Sequence, residues 1–240
     1  MNTTQSAGAI VREIVRHLEQ HGSPVHAAGA QRYFKDEIRC HGWRAADLRR
    51  YSRAVRDALR QDPELLMDVA DRLFRLPVLE EKGLAVEILV SFVRRFGHAE
   101  FRRLSRWLDD VMSWADHDAL VSYLLGPLLV ADPGRARRAV AWAVSSDRWH
   151  RRASAVSLIR GLRVGLFAGE ARVVTERLLA DRDDMVQKGL GWMLREWAKH
   201  DPKAALPVLM EIRTRASRLV LRTACEKLSP ALRQRVLARR

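Results

Sequence analysis

The sequence predicts an all-α protein, an α-solenoid of stacked helix pairs. Three observations predict it. Strand signals are nearly absent: Ile and Thr are scarce, and no Asn-Gly or Asp-Gly hairpin turn occurs. Apolar residues recur at helical spacing, as in Leu65, Val69 and Leu73, and again in Leu206, Leu209 and Ile212. Helix starts are also written plainly. Asp62-Pro63, Asp132-Pro133 and Asp201-Pro202 each put a capping carboxylate before a first-turn proline.

Taken in order, residues 1–61 read as N-terminal helices, 62–228 as repeats, and 229–240 as a C-terminal helix or tail, all within one domain. The pattern gives about a dozen helices of roughly 10–18 residues with short connectors. The Asp-Pro starts fall 70 and 69 residues apart, twice a unit of about 35, a period typical of paired-helix solenoids. A second register agrees. The segments beginning at Glu81, His117, Arg151 and Gln187 share one shape: polar, charged, small, then a mostly apolar or small pair. Their charged positions, Lys82, Asp118, Arg152 and Lys188, are separated by 36, 34 and 36 residues. Small residues after each charge let neighbouring helices approach closely. The expected architecture is therefore a single-domain solenoid of HEAT-like repeats, its second helices lining one concave, basic wall.

Charge narrows the function. Lys plus Arg is 43 and Asp plus Glu is 29, giving a net charge of +14, and only six of the 43 are lysines. Such an excess favours polyanionic partners, nucleic acid before membrane surface. The bland alternative is a GC-rich genome that writes Arg wherever a solvated cation will do. The same choice stays open for Arg135, Arg137 and Arg138, a phosphate-tracking edge or a solvated helix face. No apolar run approaches the ~18 residues that a membrane span needs. The N-terminal stretch MNTTQSAGAIVREIV is charged and amphipathic without a secretory core, so a cytoplasmic protein is expected. Cys40 and Cys225 make neither a disulfide framework nor a Cys-x-x-Cys metal site.

The repeat sets Lys82, Asp118, Arg152 and Lys188 in a row along the expected wall. Beside three of them stands a tryptophan at helical spacing: Trp114 four before Asp118, Trp149 three before Arg152, and Trp192 four after Lys188. Tryptophan in a repeat protein is usually core filler. Three at one wall, each beside a charge, instead suit a surface that contacts sugars or bases.

Four segments, in chain order and covering roughly residues 8–228, resemble the HEAT-like DNA alkylation repair glycosylases, the AlkC/AlkD group, and AlkD most closely. Val186–Lys199, with its Gln187-Lys188-Gly189-Leu190-Gly191-Trp192 core, resembles the signature helix of that family. Tyr33-Phe34-Lys35 with Gly42 and Arg49 is similar to its N-terminal Tyr-x-Lys…Gly…Arg segment. Trp114 to Asp118 resembles its Trp-(x)3-Asp motif, and Trp149 to Arg152 its Trp-x-x-Arg motif. The resemblance implies that Asp118 is the catalytic carboxylate, that Trp114 and Trp192 wall the lesion's deoxyribose, and that Arg152 is a cation held beside the site. It places Tyr33, Lys35, Arg49 and Arg195 on the DNA backbone or helix edge, with Lys188 and Trp149 among the substrate contacts. The implied partner is duplex DNA containing alkylated bases, bound by a monomer at the nucleoid of a bacterium. One departure stands out: Ala115 occupies the position directly after the first Trp, where the family often has Asp.

These residues suit the chemistry. A base alkylated at a ring nitrogen is cationic and departs as a neutral molecule, so charge moves to an oxocarbenium-like sugar. A fixed carboxylate beside that sugar stabilises it and positions water, and indole faces stabilise the same cation. No metal or cofactor is expected: Asp116-His117-Asp118 are consecutive on a helix, about 100° apart, with no second histidine at a ligand spacing. No phosphate loop or nucleophile elbow occurs. Glu80-Glu81, Asp109-Asp110 and Asp183-Asp184 read as solvated faces, and Ser154 and Ser157 as structural. The reading is a glycosylase for cationic alkylated purines. Its rivals are a non-catalytic DNA-structure binder on the same scaffold and an α-solenoid adaptor for proteins.

Overall fold

A computed structural model describes residues 6–238; residues 1–5 of the N-terminal stretch and 239–240 of the C-terminal segment lie outside them. The described residues are all-α, with sixteen α-helices, three 3-10 segments and one π turn. The Asp-Pro starts behave as read. Asp62 accepts from Leu65 N at 2.9 Å, Asp132 from Gly134 N at 3.2 Å and Asp201 from Ala204 N at 3.0 Å. Many helices are shorter than the expected 10–18 residues. Helix Leu79–Leu89 tightens directly into the 3-10 segment Val90–Arg95, and Trp114–Leu120 runs through the π turn Val121–Leu125 into Gly126–Ala131. Apolar periodicity read over a few residues does not register such local changes of winding.

The chain divides into two compact units, 1–124 and 125–240. In the first, helix Pro63–Phe74 packs on Leu79–Leu89, Ala7–Gln20 covers the former, and Ala45–Leu59 and Trp114–Leu120 pack on the latter. Ile10, Ile14, Leu18, Leu73, Phe74, Leu84 and Ile88 are fully buried and form its core. In the second, helix Asp184–His200 is the spine, packed against Arg148–Val156, Arg218–Ala224 and Pro202–Ile212. Val186, Leu190, Met193 and Leu194 supply its fully buried stripe, the recurrence at three and four expected of a helix face.

Several charged residues read as solvated are interior. The Glu80 carboxylate gathers three consecutive backbone amides, from His41 at 2.9 Å, Gly42 at 2.7 Å and Trp43 at 3.0 Å. Glu81 is buried and accepts from His41 Nε2 at 3.2 Å. Together they clamp the 41–43 loop to the start of helix Leu79–Leu89, where carboxylates also suit the helix dipole. Asp183 caps helix Asp184–His200, and Asp184 pairs with Lys188. Lys82 leaves the expected row of wall charges altogether. It is buried, and its Nζ donates to the carbonyls of Phe74 at 2.5 Å and Asp110 at 2.6 Å while lying 4.6 Å from the centre of the Phe74 ring. Burial lowers its pKa, while Asp116, Asp110 and Glu81 act in the opposite direction. Its role is to satisfy backbone carbonyls in the core.

Burial pushes the Glu81 carboxyl up, against the His41 hydrogen bond that pulls it down. A carboxyl raised in the folded state contributes stability that is full below its unfolded value, about 4.3, and lost as pH rises through the folded value. Glu81→Gln removes the charge and keeps an oxygen for His41. The variant should therefore melt above the wild type at about pH 8, with the gap closing as pH falls toward about 5. Melting curves across that range check this; a gap that widens on acidification would contradict it.

Candidate active site

Helix Trp114–Leu120 carries the first group of site residues. Ser113 and Asp116 start it as a capping box. Asp116 accepts from Ser113 N and Met112 N, both at 2.8 Å, and from the Ser113 hydroxyl. The first acid of the Asp116-His117-Asp118 run is thus spent on the helix terminus. His117 is fully buried, and its Nδ1 lies 2.7 Å from Asp118 Oδ1. The Asp118 side chain stays 21% exposed. A carboxylate that is hydrogen-bonded yet partly exposed can face a developing cation without first reorganising.

Trp114 lies four residues before Asp118 and is 37% exposed. Its ring is stacked on Phe34, with centroids 5.1 Å apart and planes at 18°. Phe34 belongs to the loop after helix Pro24–Gln31, which the Gln31 side chain holds: Nε2 donates to Asp36 O at 2.9 Å, and Oε1 accepts from Ile38 N at 3.0 Å. The N-terminal motif therefore meets Trp114 through its middle residue. Tyr33 beside it is 80% exposed, and Lys35 and Arg49 are exposed.

Gly42 of the same motif has φ +82°, the left-handed region that favours glycine. A β-carbon there would lie 2.1 Å from Ser23 O and 2.6 Å from Ala27 N. The motif glycine is thus required by backbone crowding.

The remaining residues belong to the second unit. Arg152 is buried and donates from a guanidinium nitrogen to Met185 O at 2.6 Å. Its side chain lies across Gly189, where a β-carbon would come within 3.0 Å of Arg152 Cγ. Two residues on and on the opposite side of the helix, a β-carbon at Gly191 would meet Thr223 Cβ at 2.8 Å. The two glycines of the Lys188-Gly189-Leu190-Gly191-Trp192 stretch thus serve close approach, one toward helix Arg148–Val156 and one toward Arg218–Ala224. Lys188 pairs with Asp184 at 2.8 Å, and Trp192 is partly exposed. Arg195 is bound to Glu226 at 2.6 Å and lies 3.6 Å from Glu196, so a phosphate there would compete with carboxylates.

Trp149 departs from the expected row of wall tryptophans. It is 8% exposed, with the Arg148 guanidinium 4.7 Å from its ring centre, and it packs in the core. Arg135 is engaged locally, with Leu128 O at 3.0 Å and Asp132 at 3.2 Å, while Arg137 and Arg138 are exposed. Sequence reasoning gave no role to Phe34 or His117. An aromatic residue in a polar loop was a usable signal for the first. The second had none, because neighbouring residues on a helix ordinarily diverge. Among the described residues, no three His, Cys, Asp or Glu side chains are grouped to hold a metal ion, and no helix is long and apolar enough to cross a membrane.

These features define an all-α helical-repeat protein with a carboxylate and a tryptophan presented on one short helix. The family model for DNA alkylation repair enzymes matches residues 14–228, and the chain belongs to that family, which supports a role in the repair of alkylated DNA. A similar solved structure is a predicted DNA alkylation repair enzyme from Enterococcus faecalis, 18% identical, with a TM-score of 0.79 over 87% of this chain and 97% of that one. That likeness concerns the fold. No curated protein matches.

Proposed function

We propose that this protein is a monofunctional DNA glycosylase that hydrolyses the N-glycosidic bond of cationic N3- and N7-alkylated purines in duplex DNA. The observation that carries the reading is Asp118: a partly exposed carboxylate, fixed by a buried histidine, one helical turn from an exposed indole. In the proposed reaction the alkylated purine leaves as a neutral base, taking the bonding electrons. The sugar becomes oxocarbenium-like, Asp118 stabilises it and orients water, and water adds at C1′ and gives up one proton to solvent, leaving an abasic site. Trp114 offers its π face to the same cation. Family resemblance extends the proposal to Trp192 as a second aromatic contact and to Arg152 and Lys188 as cations near the substrate. Tyr33, Lys35, Arg49 and Arg195 are the proposed backbone contacts, with the net charge of +14 favouring the duplex. The protein would act as a monomer, on the nucleoid in the cytoplasm, with no metal or cofactor.

The test is incubation of purified protein with a duplex holding a single 7-methylguanine, with free base and abasic sites measured separately. Stoichiometric appearance of both supports the reading. Tight, salt-sensitive binding without release would instead mark a DNA-structure binder, and binding indifferent to salt an adaptor.

A further inference from the structure

We propose that His117 is a positioning residue for Asp118, its Nδ1–H donating to the carboxylate and holding it in place for the sugar. The inference rests on the glycosylase reading of Asp118 and assigns a role to a residue outside the motif's Trp and Asp. Its basis is geometric. The two side chains are consecutive on helix Trp114–Leu120, where neighbours normally point about 100° apart, yet Nδ1 and Oδ1 are 2.7 Å apart. His117 is fully buried, so the contact is shielded from water on the imidazole side. An aspartate's terminal torsion is intrinsically broad, and the His117 hydrogen bond narrows the orientations of the carboxylate before the reaction begins. The arrangement transposes the familiar pairing in which a carboxylate holds a catalytic histidine in one tautomer; here the histidine holds the carboxylate.

Asn and Leu separate this role from packing. They have the same shape, but the Asn amide nitrogen can occupy the place of Nδ1 and donate, whereas Leu cannot. The assay is single-turnover release of 7-methylguanine at saturating protein, beside duplex affinity and melting temperature. His117→Leu should slow release by about tenfold or more, the scale of one lost hydrogen bond to a charged group. His117→Asn should stay within about threefold of the wild type, and both should bind duplex as the wild type does. In an Asp118→Asn background, His117→Leu should add little further loss. Equal losses in the two variants, or none in either, would overturn the inference. A second readout needs no activity: nitrogen NMR of labelled histidine, assigned by the signal missing in His117→Asn. The wild type should show the Nδ1–H tautomer, disturbed in Asp118→Ala; an Nε2–H tautomer would overturn the inference. A wild type that releases no base defeats the glycosylase reading, whereas an active wild type with the wrong tautomer defeats only the role of His117.

Discussion

Asp118→Asn should slow single-turnover excision of 7-methylguanine by a factor of about 10²–10³, the usual scale for losing an electrostatic partner of a transition state. The substitution is nearly isosteric. It keeps an oxygen in place of the one His117 holds at 2.7 Å, so the helix and its capping box remain as they are. What it removes is the charge that the proposed reaction sets against the sugar cation. Duplex affinity should hold or tighten slightly, since the variant carries one negative charge fewer toward a polyanion. A reduced rate with unchanged affinity locates the loss in the transition state. An unchanged rate would remove Asp118 from the chemistry.

Gly42→Ala should produce the largest loss of stability, about 3 kcal/mol, or roughly 6–12 °C in melting temperature for a chain of this size. The glycine has φ +82°, and the atoms a methyl group would meet, Ser23 O at 2.1 Å and Ala27 N at 2.6 Å, are backbone. Neither can swing aside as a side chain would. Relief requires the 41–43 loop to leave the Glu80 carboxylate, which accepts all three of its amides. The three amides and a buried acceptor would then need new partners. Gly29→Ala is the matched control: it lies in helix Pro24–Gln31 with open space around it, where alanine favours the helix. Melting curves of both variants check the contrast; equal stability would show that the loop tolerates the methyl group.

What the sequence disclosed and what it hid divide along physical lines. Helix starts at Asp62, Asp132 and Asp201 were legible because a cap is a contact between residues two or three apart. Trp114 and Asp118 were legible as a pair for the same reason, being one turn apart. Glu80 and Glu81 were not, because an adjacent pair of carboxylates looks the same whether solvated or buried. Their partners, in the 41–43 loop, lie about forty positions earlier in the chain. Lys82 shows the same difficulty. Its period matches the other charged positions, but its environment is set by the carbonyls of Phe74 and Asp110. Trp149 kept the spacing of its motif and still went to the core. Periodicity gives a residue's place on a helix and leaves open how deeply tertiary packing sinks that face. Close approach at Gly189 was legible from the small residue after each repeat charge, whereas the demands on Gly42 and Gly191 lay in neighbouring atoms far along the chain.

The central claim is that a carboxylate and indole faces suffice because the lesion brings its own positive charge. Neutral lesions lack that charge, and their leaving bases need a proton for which the proposed reaction assigns no donor. The decisive measurement is therefore base release from two otherwise identical duplexes, one holding 7-methylguanine and one holding uracil, with EDTA present throughout. The account predicts release of the methylated purine at a rate indifferent to the chelator, and uracil left in place. Efficient release of uracil, or loss of activity in EDTA, would contradict it.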